Sequence, residues 1–110
     1  MELSPDPSLK ELQVLWEKQF WFRSKMGWKL AAKWYEEFKF FFGEDRKPRD
    51  IFRSDVAEWK EWLNKKGRSN NWIVHCCDKG SRFYRLLDEL ELVEKDFNPF
   101  KDMAPRRIRD

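Results

Sequence analysis

At 110 residues with 17% aromatic side chains, the chain is the size of one domain and can fill a core, despite a charged fraction of 39%. Its 23 basic residues nearly cancel against 20 acidic ones, and a net charge of +3 is too small to announce a polyanion binder without help from charge distribution. No apolar run reaches the roughly 18 residues of a membrane span, and MELSPDPS lacks the parts of a secretory signal, so a cytoplasmic protein with no membrane partner is expected.

Pro5 and Pro7 keep the start extended, which makes residues 1–7 a lead-in. Ser8-Leu9-Lys10-Glu11 is then a capping box, in which hydroxyl and carboxylate each satisfy a free backbone N–H. A first helix follows, with Leu9, Leu12, Leu15, Trp16, Phe20 and Phe22 on its apolar stripe, until Ser24 to Gly27 interrupts it. The second is expected to bury Trp28, Ala31, Trp34, Tyr35, Phe38, Phe41 and Phe42 and to stop at Gly43. Its outer face carries Lys29, Lys33, Glu36, Glu37 and Lys39.

A polar connector, Glu44 to Asp50, separates this pair from a third helix of about Arg53 to Lys66. Asp55 lies in its positive first turn, Val56, Trp59, Trp62 and Leu63 point inward, and Gly67 closes it. The fourth helix is expected from about Asn70 to Leu92. Ile73, Cys77, Gly80, Phe83, Leu87 and Leu90 form its packing stripe, and Asn71, His75, Asp78, Arg82 and Arg85 form an equally regular opposite one. Gly80 inside it marks a close helix crossing or a bend. Cys76 and Cys77 beside the single histidine lack further partners for a tetrahedral site, so they are assigned to packing, with no metal and no cofactor expected. No β alternation opposes an all-α fold.

The order of these pieces resembles the N-terminal core-binding domain of the tyrosine recombinases, the phage-integrase family. Four matches carry the resemblance, which spans roughly Ser24 to Met103: Gly27 to Gly43 with its aromatic end; Ile51 and Asp55-Val56; Gly67-Arg68-Ser69 opening a helix that carries Phe83-Tyr84-Arg85-Leu86-Leu87; and Leu92-Val93 closing on Asn98-Pro99-Phe100. Gly27 and Trp72 stand where the family commonly has Thr.

The resemblance implies a compact four-helix, SAM-like bundle of two crossed helix pairs over residues 1–103, with 104–110 beginning a linker to a C-terminal catalytic domain absent from this chain. It implies a monomeric module, bacterial, phage or mobile-element encoded, that clamps one side of a recombination half-site on double-stranded DNA. The strand-exchange chemistry would belong to the absent domain. No catalytic residue is assigned here, since Tyr35 and Tyr84 fall at packing positions.

Phosphate neutralisation needs cations, and base reading needs directional polar groups. Lys25, Lys29 and Lys33 on the second helix, with Arg68, Ser69, Asn70, Asn71, His75, Lys79 and Arg82 at and beyond the start of the fourth, supply both. Each also has a plainer role: the lysines as solvated charge, Ser69 as an N-cap, the asparagines as turn formers and His75 as a solvent-facing ring. Alternatives are a helical protein-interaction domain using an apolar patch near Trp21, Phe22 or Trp72, and a stand-alone regulator that occupies recombination sites.

Overall fold

The structure, a computed structural model, describes residues 5–20 and 25–104. Trp21, Phe22, Ser24 and residues 105–110, which the sequence reading drew on, lie outside the described residues. Four α-helices, α1 (Leu9–Lys18), α2 (Lys25–Phe42), α3 (Arg53–Lys65) and α4 (Asn70–Glu89), with a short 3-10 turn at Pro48–Asp50, make the protein all-α. No strand occurs among the described residues. The chain divides into two compact units, 1–50 with the pair α1–α2 and 51–110 with the pair α3–α4.

In the first unit, the capping box forms as the sequence dictates: Ser8 Oγ accepts from the Glu11 N–H at 3.4 Å, and Glu11 Oε1 accepts from the Ser8 N–H at 3.3 Å. Two more N–H groups of that first turn find carbonyls in the connector, Leu9 to Arg46 and Lys10 to Glu44, both at 3.0 Å. The lead-in is held too, since Lys47 Nζ donates to the Asp6 carbonyl at 2.8 Å and Arg49 pairs with the Asp6 carboxylate at 2.9 Å. The core is aromatic. Trp16 meets Trp34 with ring centres 5.1 Å apart, Trp34 stacks on Phe38 at 5.0 Å, and the Trp16 indole donates to the Ala31 carbonyl at 3.1 Å.

Two expectations for α2 need correction. The break expected at Ser24 to Gly27 comes earlier, since α1 ends at Lys18 with Gln19 as its C-cap, and Lys25 to Gly27 already belong to α2. Trp28, expected inside, is 37% exposed, and Phe41 is half-buried. The buried set Ala31, Trp34, Tyr35, Phe38 and Phe42 keeps to one stripe, and at 100° per residue Trp28 falls at its edge.

In the second unit, Asp55 accepts from the Phe52 N–H at 2.8 Å and fixes the start of α3. Gly67, at φ +87°, closes α3 with the paired bonds of a Schellman turn, Arg68 N–H to Leu63 and Gly67 N–H to Asn64, both 3.0 Å. The same turn ends α4 three residues earlier than expected, with Glu91 at φ +58° where glycine is usual. Leu90 is therefore a cap residue, 45% exposed, and not part of the packing stripe. Trp59, Phe83 and Leu87 are fully buried in this unit, as Trp34 and Phe38 are in the first; Trp62 is half-exposed, with the Lys66 ammonium 4.5 Å from its ring.

Gly80 has a different purpose from the helix crossing expected of it. A Cβ there would lie 2.5 Å from the Phe100 ring. The segment after α4 folds back over this notch, and Phe100 meets Trp59 and Tyr84 with ring centres 5.7 and 5.8 Å away. Asn98 latches the return by donating to the Ser81 carbonyl and hydroxyl at 3.2 and 3.0 Å. Arg53 and Lys60 of α3 then hold the carbonyls of Lys101 and Met103, each at 2.6 Å.

Candidate nucleic-acid interface

The candidate residues fall into two groups, one in each unit. Lys25, Lys29 and Lys33 are exposed on α2, spaced by one helical turn and therefore in a row of about 6 Å steps. The next four-residue step reaches the half-buried Glu37, while Glu36 beside it accepts from Gln13 at 2.5 Å and pairs with Lys39 at 3.3 Å. From Lys25 to Lys33 the sequence contains no acid. The exposed arc also holds Met26, 66% exposed, and Leu30, 36% exposed, neither of which the sequence reading selected. They lie two and one four-residue steps before Trp34 on the row that continues through Phe38, so spacing alone places them inside; only their exposure in the structure sets them apart.

The second group surrounds α4. Asn71 and Arg82 are exposed, as are Asp78, Arg85 and Glu89 on the same face, so cations, amides and acids alternate along it. Arg85 joins this face as a candidate by position. Ser69 is the N-cap, its hydroxyl accepting from the Trp72 N–H at 3.1 Å. Asn70 turns toward a groove of about 390 Å³ between α3 and α4, which it lines with Lys60, Asn64 and Ile73. Lys79 is half-buried beside His75.

Arg68, Trp72 and His75 form a column. The Arg68 guanidinium lies 5.5 Å from the Trp72 ring centre, and Trp72 stacks on His75 at 5.1 Å. Trp72 is thereby held within its own unit by one cation and one ring. His75 is half-buried with Nε2 out of solvent, and desolvation, aided by the Lys79 ammonium and opposed by Asp78, lowers its pKa below 6.5. Near neutral pH the ring is uncharged, so it adds a polar edge and no cation.

The thiols are packing groups in the structure. Cys76 and Cys77 are buried thiols outside any disulfide, and burial pushes the Cys77 thiol up to about 11, against the opposing pull of Lys60. No group of three or more His, Cys, Asp or Glu converges on a common point among the described residues, and no described helix is long and apolar enough to cross a membrane. A second cleft, of about 360 Å³, opens where the returning segment meets α4; Arg85, Lys101, Asp88 and Asp96 all line it, so it has no single sign of charge. Comparison of the chain with protein-family models, with curated proteins and with solved structures returned no match.

Proposed function

We propose that the chain is a DNA-binding module of the tyrosine recombinase core-binding type, working in the cytoplasm and holding one side of a recombination half-site. A catalytic domain following it in the parent protein would hold the other side. The observation that carries this reading is the division of α4 into two faces. Ile73, Cys77, Phe83 and Leu87 are buried along one, while Asn71, Arg82 and Arg85 stand exposed along the other. An α-helix of about 10 to 12 Å diameter with such donors on its free face suits a major groove about 12 Å wide.

The chain itself is assigned no chemistry. Both tyrosines are buried, and the Tyr35 hydroxyl donates to the Leu9 carbonyl at 2.5 Å, an arrangement suited to packing and not to attack on a phosphodiester. A second reading, a protein-interaction domain, draws on Phe40, which is 76% exposed near the end of α2.

Titration of the 110-residue chain with a duplex half-site at several salt concentrations tests the proposal. Four or five phosphate contacts give a slope of about −4 in log affinity against log salt, because each contributes about −0.9. Folded protein that binds no duplex even at low salt would favour the protein-interaction reading.

A further inference from the structure

We infer that α2 recognises thymine: Met26 and Leu30 contact the C5-methyl groups exposed in the major groove, while Lys25, Lys29 and Lys33 hold the phosphates alongside. This rests on the DNA-binding reading above and specifies what one of its faces recognises.

Two parallel rows on one helix motivate it. Lys25, Lys29 and Lys33 follow each other at four-residue steps, and Met26 and Leu30 run beside them one residue further round, about 100° of rotation. Both rows are exposed in this first half of the helix, and the second turns into the core only at Trp34. Exposed apolar side chains beside a row of cations suit a partner that is anionic and also offers small apolar groups. Duplex DNA fits both demands, since its phosphates form a regular anionic track and the methyl of thymine is the apolar mark of the major groove. A protein partner fits less well, because lysine is depleted from protein interfaces and three lysines crowd this one. Phe40 is set apart, ten residues and about 15 Å along the axis from Leu30.

The length and flexibility of Met26 suit the contact, for an unbranched thioether adapts to an irregular groove floor. Selectivity of this kind is modest, since it depends on covering a methyl group and not on a directional bond. Burying one methyl corresponds to about fourfold in affinity.

The test needs no knowledge of a target site. Binding of the 110-residue chain is measured on two duplexes of equal length, alternating dA·dT and alternating dA·dU, which differ by the thymine methyl. Wild type should bind the dT duplex about fourfold tighter or more. Met26→Ser and Leu30→Ser, both at exposed positions, should bring the ratio close to one, whereas Lys29→Gln should weaken both duplexes and keep the ratio. Circular dichroism of each variant establishes that the helices persist. A ratio of one in wild type, or a dT preference unchanged in both serine variants, overturns the thymine contact while leaving DNA binding in place. Absence of binding to either duplex by folded wild type removes the DNA reading, and this inference with it.

Discussion

The exposed faces of α2 and α4 use different chemistry. On α2 the stretch from Lys25 to Lys33 carries three lysines and no acid, beside two exposed apolar side chains. On α4 the exposed stripe mixes Asn71, Arg82 and Arg85 with Asp78 and Glu89. A row of lysines attracts phosphate without regard to sequence, since an ammonium is a point charge on a flexible stem. A stripe of amide and guanidinium groups broken by acids is a poor general attractor, because each acid repels the backbone. Its planar donors are worth more where they meet a particular base edge. Under the proposed DNA-binding function the two faces would divide affinity from selection, with α2 adding the apolar thymine contact.

The largest expected effect tests the foundation of that contrast, the buried face that keeps α4 in place. Phe83→Ala should cost about 3 to 5 kcal/mol by chemical denaturation, whereas Phe40→Ala, at an exposed position on α2, should change stability by about 0.5 kcal/mol or less. Equal losses would mean that α2 is anchored at Phe40, where its side chain is exposed.

Next in size is the separation of reading from positioning. Asn71→Ala and Arg82→Ala should each reduce discrimination between a selected site and scrambled DNA by about 1 to 3 kcal/mol. Lys29→Ala should weaken both duplexes alike and lower the salt slope by about 1. Should the Asn71 and Arg82 variants lose affinity equally on both duplexes, α4 only positions the domain.

The smallest effect concerns His75. Its pKa in the folded state lies below 6.5, the ordinary value it regains on unfolding. The unfolded chain thus binds the proton first as pH falls, and stability declines from about 6.5 downward until the folded-state pKa is passed. His75→Gln should flatten that limb of the stability curve. At pH 7.5 it should leave the salt slope of DNA binding unchanged, since the neutral ring neutralises no phosphate.

Local signals carried much of the architecture. Ser8 with Glu11, Ser69 before Trp72, and Gly67 after α3 each satisfy backbone groups within a few residues, so their chemistry was legible in the sequence. What escaped depends on distant partners or unusual residues. Gly80 looked like a crossing point because nothing local links it to Phe100, twenty positions on, whose ring fills the notch. The early end of α4 rests on Glu91 in the left-handed region, a place where sequence patterns expect glycine or asparagine. Asp6 is tied to Lys47 and Arg49 across more than forty residues.

The candidate interface was legible by stripe and not by accessibility. Asn71 and Arg82 are exposed as the periodicity requires, but Arg68 and His75, four residues before and three after Trp72, are drawn into a column with it that a reading by polar stripe passes over. Met26 and Leu30 were passed over because apolar residues are assigned to a core by default.

The central claim, that these two faces meet DNA, is tested most directly by following the backbone amide resonances of the chain as duplex is added at low salt. The account predicts shifts concentrated at Lys25 to Lys33 of α2 and at Asn70, Asn71 and Arg82 of α4, all reversed as salt is raised. Shifts confined to the neighbourhood of Phe40, Gly43 and Glu44, or none at all, would contradict it.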